Sequence, residues 1–408
     1  MRRHKTAGCW RFATALCGLT VLLPMGAAPV QAEDTLRFGA SLSLTGSLST
    51  EGKRVKDGYD FYVKHINDQG GIDLCGKKYK MEVKYYDDES QANTAVRLVE
   101  KLITEDGIKF LLGPYGSGAT LAASTVAEQH QVPMVIAHGA STPIYERGYK
   151  YIFAVLNTVD QYTQPIIDMA AHQEPRPKTV ALINENALFP QLGINAAAGQ
   201  AKEKGFDVVY QEKYPSGTKD LSSLLAAAKA KNPDMFIAGG YTGDMILLAK
   251  QAHEAGFRPK LLAFLLGPTL PGFVESLKQD ADYVLEPVQW APSMPWKDQF
   301  LGWTAEQFAQ TFQKEFGYWP DYHPPQSAAA VEVYQAAMQK ACDLDPKKVR
   351  DAIAQTEIMT FYGPIKFNGK GVNIAKPMAV VQIQNGKPVV VWPQEAAQGK
   401  LIYPIPGR

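Results

Sequence analysis

The chain has 408 residues, with 42 Lys and Arg against 41 Asp and Glu, a formal net charge of +1 and 46% hydrophobic residues. This balance, without any basic block, argues against a nucleic-acid-binding protein, because such proteins cluster Lys and Arg against the phosphates. The length exceeds what a single hydrophobic core usually supports, so it predicts two lobes.

The N-terminus has the pattern of a secretory signal peptide. Four basic residues and no acidic one accompany the mostly apolar run 12–23, and the small-x-small sequence Val30-Gln31-Ala32 follows. The run is shorter than the about 20 apolar residues of a membrane span. We therefore expect residues 1–32 to be a signal peptide cleaved after Ala32, and a periplasmic mature chain with 38 basic and 41 acidic residues.

Strands and helices alternate along the rest of the chain, which is typical of a doubly wound α/β fold. The first group comprises strand 35–41, helix 54–67, strand 80–86, helix 93–105 and strands 109–112, 133–137 and 151–155. The pattern restarts after residue 160 with a helix to residue 172, strand 179–183, helix 193–204, strand 207–210, helix 222–231, strand 235–238, helix 244–255, strand 261–264 and a short helix from residue 272. The restart predicts a second parallel sheet.

The last part of the chain changes character. A Trp- and Pro-rich stretch at 290–295 precedes three predicted helices at 304–316, 326–341 and 346–355, and strands at 365–367, 378–384 and 388–392. Asn385-Gly386 predicts a tight hairpin turn between the last two strands. The predicted fold class is α/β, with two doubly wound parallel-sheet lobes.

Two predicted strands end in turns of small residues that each lead into a helix. Gly113 to Gly118 follows strand 109–112, and Gly139 to Thr142 follows strand 133–137. Such turns leave backbone N–H groups bare at a helix N-terminus, where a carboxylate or phosphate is favoured. The hydroxyls of Ser117 and Ser141 add two donors. Alternatively, both turns only cap their helices.

Two cysteines, Cys75 and Cys342, remain after removal of the predicted signal peptide. Export favours a disulfide between them; the alternative is two unpaired cysteines too far apart to bond. Enzyme motifs are missing from the sequence, and Tyr115 occupies the first glycine position of a G-x-S-x-G elbow around Ser117. We expect no catalysis, no cofactor and no metal; a secreted hydrolase is a remote alternative, because a triad is defined by geometry.

Several different short motifs follow one another along the mature chain. They are Ile66-Asn67, Gly70-Gly71-Ile72, Tyr86-Asp87-Asp88, Gly107-Ile108, Gly113 with Ser117, Ala140-Ser141-Thr142-Pro143 and Gly239-Gly240-Tyr241. With this order and spacing, the chain resembles the solute-binding proteins of branched-chain amino acid type ABC importers, the leucine/isoleucine/valine-binding group with the type I periplasmic fold.

The resemblance implies two lobes joined by a three-crossing hinge, with lobe 1 at 34–159 plus 289–376 and lobe 2 at 160–288 plus 377–408. It implies a monomer that binds a small-molecule ligand in the cleft, closes around it and delivers it to an ABC permease in the inner membrane. A sensor subunit of a signalling receptor is the alternative, because one cleft serves both roles.

The resemblance also implies specific ligand contacts. A ligand carboxylate meets Ser117, Gly139, Ala140 and Ser141 from lobe 1. Amino acid binders of the family place an acidic residue shortly after a Gly-Pro in lobe 2, but here Thr269 follows Gly267-Pro268. A hydroxyl does not replace that charge. The ligand class therefore stays open between an amino acid, an amide and an aromatic carboxylate.

Further candidates surround these positions, each with a structural alternative. Asp160 meets an amine or caps the hinge, and Glu51 faces the cleft mouth or is a solvated helix start. Phe189 and Tyr241 match family positions that cover the ligand, or they pack in the core. Additional candidates are Trp290, Trp296, Tyr322 and His323 as walls on the lobe 1 side, and His138 as a ligand contact or a structural hydrogen-bonding residue.

Overall fold

The structure is a computed structural model that describes Gly8, Trp10 and residues 34–406. The chain divides into two units, Met1–Glu33 and Asp34–Arg408, and the fold below is that of the second unit. The predicted signal peptide and its cleavage site lie outside the described residues, apart from Gly8 and Trp10. No helix in the described ranges is both long and apolar enough to cross a membrane.

Lobe 1 is built on a sheet to which the described residues contribute six strands. Its elements in chain order are β1 (Asp34–Leu42), α1 (Ser49–Asp68), β2 (Ile72–Leu74), β3 (Lys77–Asp87), α2 (Ala92–Thr104), β4 (Leu111–Leu112), α3 (Ser117–Gln129), β5 (Met134–Ile136) and β6 (Ile152–Ala154). The strand order is β2-β3-β1-β4-β5-β6. All neighbours are parallel except the hairpin β2–β3.

The chain then enters lobe 2. The elements that follow are α4 (Gln164–Ala171), β7 (Thr179–Glu185), α5 (Leu188–Glu203), β8 (Asp207–Tyr214), α6 (Ser222–Ala230), β9 (Met235–Gly239), α7 (Thr242–Glu254), β10 (Leu261–Phe264), α8 (Pro271–Leu277) and β11 (Leu285–Val288). Every residue of β9 is buried, as expected for a central parallel strand covered by helices on both faces.

After β11 the chain returns to lobe 1 and later crosses back. The elements of this part are α9 (Ala305–Phe316), α10 (His323–Ala341), α11 (Pro346–Ala354), β12 (Glu357–Thr360), β13 (Gly363–Lys366), β14 (Ala379–Gln384) and β15 (Lys387–Trp392). The second sheet has the order β15-β14-β11-β10-β9-β7-β8 among the described strands. The α/β fold with two lobes and three crossings is confirmed, while the exact lobe boundaries stay a prediction.

Helix α10 packs directly on α1 at Gly58. A Cβ atom added to Gly58 would lie 2.4 Å from the Pro324 carbonyl oxygen, so a larger residue there would push the helices apart. A disulfide joins Cys75, in the turn between β2 and β3, to Cys342 at the end of α10, with Cα atoms 5.7 Å apart. It closes a loop of 267 residues.

Differences from the predicted elements lie where local patterns are short. The predictions omitted β2, β11 and β12, which have only three or four residues, and β11 contains Pro287, which argues against a strand. The second sheet is also mixed, because β11–β14 and β14–β15 pair antiparallel. The predicted hairpin is confirmed: Asn385 and Gly386 have φ values of +52° and +72°, as a type I′ turn requires.

Candidate functional site

The carboxyl ends of the strands of both sheets border one cleft. The chain continues in opposite directions from the central strand of each sheet, between β1 and β4 in lobe 1 and between β7 and β9 in lobe 2. Open α/β sheets bind ligands beyond the carboxyl ends of their strands at such switch points. The loops that follow these strands are therefore the expected place for a ligand.

The turn after β4 presents the N-terminus of α3 to this cleft. Gly116 has φ of +84°, which glycine adopts without strain, and its N–H donates to the His138 carbonyl at 2.9 Å. The first helical hydrogen bond runs from Thr120 N to Gly116 O at 3.1 Å, so the N–H groups from Ser117 onward precede it. The Ser117 hydroxyl accepts from the N–H of Ser141 at 3.1 Å. Two turns from different strands thus form one surface.

A small cavity, here called the inner cavity, lies between the lobes in front of α3. Its volume is about 30 Å³. It brings together four predicted ligand residues, Ser117, Ala140, Phe189 and Tyr241, and the predicted wall residue Tyr322. None of the described residues that line it is Lys, Arg, Asp or Glu.

Aromatic rings close the inner cavity from both lobes. The ring centroids of Tyr115 in lobe 1 and Tyr241 in lobe 2 are 6.4 Å apart, and Tyr241 lies 6.3 Å from Phe189. Phe189 packs edge-on against Tyr162 at 5.6 Å. A volume of this size holds about one or two water molecules. In this conformation the inner cavity is therefore too small for an amino acid or an aromatic acid.

Two stacked imidazoles form the wall behind Tyr115. His138 lines the inner cavity, and its ring centroid is 5.0 Å from that of His323. The Ser327 hydroxyl donates to the His323 carbonyl at 2.8 Å, so Nε2 of His138 donates to the same hydroxyl oxygen at 2.9 Å. Burial lowers the pKa of His138 well below its usual value, and His323 lowers it further. His138 is therefore neutral at pH 7.

His323 is held by a buried carboxylate. Its Nδ1 lies 2.6 Å from Oδ1 of Asp321, and Arg54 forms an ion pair with the other oxygen at 3.0 Å. Burial by itself would raise the pKa of Asp321, but its electrostatic interactions with His323 and Arg54 and the hydrogen bonds from His323 outweigh burial and hold the pKa at about 2. The carboxylate stays ionised and orients the His323 ring at 3.4 Å from the Tyr115 hydroxyl.

Glu51 bridges the lobes. It is 2% exposed, and its Oε1 accepts a hydrogen bond from the Thr242 hydroxyl at 2.5 Å. The interpretation of Glu51 as a solvated helix start is therefore wrong: the start of α7 covers it. In this conformation Glu51 contacts lobe 2 and does not line the inner cavity.

A second space, here called the outer cavity, adjoins the inner one and measures about 670 Å³. Tyr115, Gly116 and Tyr241 line both. The lobe 2 side of the outer cavity includes Glu185, at the end of β7, and Asp244, in the first turn of α7. Burial raises the pKa of Tyr241, and Glu185, Glu51 and Asp244 raise it further. Three acidic side chains therefore lie near this tyrosine.

Thr269 faces a different space. It lines a third cavity, here called the rear cavity, of about 620 Å³, together with Trp290, Trp319 and Tyr322. The N–H of Thr269 donates to Oε2 of Glu286 at 2.6 Å. Glu286 has no exposed surface, and no donor in the described chain reaches its Oε1. Burial raises the pKa of Glu286 to about 8, so an acid that is largely protonated at pH 7 lies behind Thr269.

The remaining predicted ligand residues lie outside the inner cavity lining. Ser141 is fully buried, and its Oγ has no hydrogen-bonding partner among the described residues. Gly139 lies against Thr120, whose side chain would be 2.7 Å from an added Cβ. Asp160 is exposed and accepts from the Thr142 hydroxyl at 2.9 Å, an arrangement that fits the hinge-capping alternative.

The additional wall candidates are dispersed. Trp290 donates from Nε1 to the Phe361 carbonyl at 2.9 Å and lines the rear cavity. Trp296 lies under the ammonium of Lys376, 3.6 Å from the ring centroid. Of the four candidates, only Tyr322 lines the inner cavity, and it also lines the rear one.

Several residues of the site were not predicted. They are Tyr115, Leu156, Tyr162, Leu266 and Gln326 in the inner cavity, Glu185 and Asp244 in the outer cavity, and Glu286 behind Thr269. Tyr115 and Glu185 could have been found by the switch-point rule, since both lie at strand ends. Gln326 donates to the Ala137 carbonyl, 189 residues away in sequence. No local pattern reports such a contact.

Comparison with known proteins agrees with this architecture. A family model described as periplasmic binding protein matches residues 35–388. The Leu/Ile/Val-binding protein homolog 8 of Brucella abortus (strain 2308) is 26% identical over 389 residues, covering 90% of this chain and 93% of the relative.

Two solved structures share the fold. One is the branched-chain amino acid transporter substrate binding protein LivJ from Streptococcus pneumoniae in complex with isoleucine, with a TM-score of 0.77, 21% identity and coverage of 87% of this chain and 98% of the other. The other is an ABC transporter solute binding protein from R. palustris in complex with benzoate, with a TM-score of 0.75, 19% identity and coverage of 88% and 95%. The predicted resemblance is thereby confirmed, and the chain belongs to the periplasmic binding protein family.

Proposed function

We propose that this protein is the periplasmic solute-binding subunit of an ABC importer, and that it binds a small carboxylic acid with an aromatic or apolar body. The lobes close around the solute, without chemistry, and the closed monomer presents it to a permease in the inner membrane. The observation that carries the proposal is the N-terminus of α3, which faces an interlobe cavity walled by aromatic rings.

The lobe 1 surface fits a carboxylate. Ser117 accepts a hydrogen bond from the N–H of Ser141, so its hydroxyl hydrogen remains available for an anion. The first N–H groups of α3 and its dipole favour negative charge at the same place. His138 is neutral, and the described lining contains no Lys or Arg. Backbone and hydroxyl donors would therefore hold the carboxylate.

The lobe 2 surface favours an aromatic acid over an α-amino acid. An α-ammonium next to the carboxylate would need an acidic partner, and the described inner lining contains no Asp or Glu. A buried unpaired ammonium costs several kcal/mol. Phe189, Tyr162 and Tyr241 would instead cover a flat apolar body. The benzoate bound to the R. palustris relative supports this ligand class.

Ligand screening on refolded protein tests the ligand class. Mature protein stripped of carried ligand by unfolding is scanned for thermal stability with benzoate, 4-hydroxybenzoate, leucine, isoleucine and acetamide. A ligand at about a hundred times its Kd adds about 2.7 kcal/mol of stability. We expect the two benzoates to raise Tm and the amino acids to leave it unchanged. A shift with leucine alone would overturn the aromatic assignment.

Substitution of Ser117 tests the carboxylate site. Ser117→Ala should weaken benzoate binding by about tenfold or more, the value of a hydrogen bond to a charged group, and should weaken benzamide binding less. The matched control is Ser222→Ala, because Ser222 also begins a helix but lies at the start of α6, where its side chain is exposed. Equal losses for benzoate and benzamide would mean that Ser117 supports only the turn.

A further inference from the structure

We propose that Glu185 and Asp244 form a subsite for a positively charged group, so that the transported solute is a carboxylic acid with a protonated amine at its far end. The subsite lies in the outer cavity, one step beyond the aromatic rings of the inner one. The inference rests on the proposed function and deepens it, since it names the other end of the same solute.

The position of the two acids follows from the sheet topology. Glu185 is the last residue of β7, and Asp244 lies in the first turn of α7, which follows β9. These strands are neighbours and flank the switch point of lobe 2. The two carboxyl groups are within hydrogen-bonding reach of each other and border the outer cavity. They therefore occupy the lobe 2 position that faces α3 of lobe 1.

Glu185 is also incompletely paired. The Glu185 side chain is buried, with the residue only 6% exposed, and no donor within the described residues reaches Oε2 of Glu185. The nearby Ser216 side chain lowers the pKa of this carboxyl group, against the effect of burial. A buried acceptor without a partner is destabilising, and a donor supplied by a solute would relieve this cost.

The electrostatics of the pair favour a cation. Burial raises the pKa of Glu185 to about 7, and Asp244 raises it further. Burial raises the pKa of Asp244 and Glu51 adds to the shift, while hydrogen bonds from Glu185 and the Tyr241 backbone and the charge of Lys219 oppose it. Lys219 also lines the outer cavity, where its side chain is exposed. Two adjacent carboxyl groups retain a shared proton unless a positive charge compensates them. An ammonium would compensate both and donate to the unpaired oxygen.

The surrounding rings fit the same ligand. Tyr115 and Tyr241 line both cavities, so a solute held at Ser117 reaches the outer cavity by passing between these rings. Aromatic faces stabilise a neighbouring organic cation. A single elongated solute would thereby contact α3 with its anionic end and Glu185 with its cationic end.

A charge series on one scaffold tests the subsite. Affinities are measured by calorimetry for 4-methylbenzoate, 4-(aminomethyl)benzoate and terephthalate, which carry a neutral, positive and negative group at the same place. We expect the aminomethyl compound to bind about tenfold tighter than the methyl compound, and terephthalate to bind weakest. In the double variant Glu185→Gln/Asp244→Asn, the tighter binding of the aminomethyl compound should disappear. The control is Asp207→Asn/Glu212→Gln, which changes two exposed acids of β8 and should retain the tighter binding. Equal affinities for the methyl and aminomethyl compounds, or tighter binding of terephthalate, would overturn the inference while leaving the carboxylate site standing.

A probe without a carboxylate separates the two proposals. Benzylammonium should raise the Tm of the native protein and have no effect on Glu185→Gln/Asp244→Asn. If no benzoate binds but benzylammonium does so in this pattern, the proposed carboxylate ligand fails and the cation subsite stands. If benzylammonium shifts both proteins equally, the cation subsite is refuted. A shift in neither protein, together with equal affinities for the methyl and aminomethyl compounds, refutes it as well.

Discussion

Replacing Glu286 by Gln should make the protein less sensitive to alkaline pH. Glu286 has no exposed surface, and its pKa rises from 4.5 to about 8 because it is buried. Between these values the folded protein retains a proton that the unfolded chain releases. Stability therefore falls as pH rises from about 4.5 to about 8. The amide oxygen introduced by Glu286→Gln would still accept from the Thr269 N–H, without this penalty.

The size of the effect follows from the pKa shift. Each unit of difference corresponds to about 1.4 kcal/mol, so between pH 5 and pH 8 the wild-type protein should lose about 3 to 4 kcal/mol relative to Glu286→Gln. Asp321, with a pKa of about 2, stays ionised across this range and affects both proteins equally. The readout is the difference in unfolding free energy between the two proteins, which removes groups that titrate identically in both.

Urea unfolding followed by circular dichroism at pH 5, 6, 7 and 8 measures that difference. The control is Glu203→Gln, the same change at an exposed position of α5. A constant difference for Glu286→Gln would refute the reasoning, because it would mean that the buried carboxyl group has the same pKa in both states. The reasoning would also be refuted if the unfolding free energy of Glu286→Gln fell relative to that of the wild type as pH rises.

Two further substitutions test contacts between distant parts of the chain. Thr242→Val removes the hydrogen-bond donor to Glu51 when the lobes are closed, which costs about 1 to 3 kcal/mol. The open form should therefore gain population, and small-angle scattering should show a larger radius of gyration. An unchanged radius would contradict this. Cys75→Ser/Cys342→Ser removes the disulfide that closes a loop of 267 residues. In the chain-entropy description, this change should lower the free energy of unfolding by about 4 to 5 kcal/mol. An unfolding midpoint equal to that of the wild type would contradict it.

Local patterns in the sequence were sufficient for much of the fold and for part of the site. Hydrophobic periodicity depends on neighbours within a few residues, so it located strands such as β1 and β9 and the alternation of strands with helices. Turn chemistry is equally local, and it placed the Asn385-Gly386 hairpin and the small-residue turn that ends at Ser117. The family resemblance added the interlobe cleft and the aromatic pair Phe189 and Tyr241, which the structure brings to one cavity.

Only the tertiary structure decided which polar groups are buried and what they contact. The sequence pattern indicates that Glu51 is an exposed residue at the start of a helix. Its hydrogen-bonding partner Thr242 is 191 residues away, so Glu51 is buried only when the lobes meet. Thr269 follows the expected Gly-Pro yet faces the rear cavity, and its N–H donates to Glu286, which has no exposed surface. Burial and long-range contacts are properties of the packed chain, because they depend on residues that no sequence window contains together. The sequence by itself determined most of the elements and the small-residue turn at the start of α3, whereas packing decided which acidic groups border the cavities.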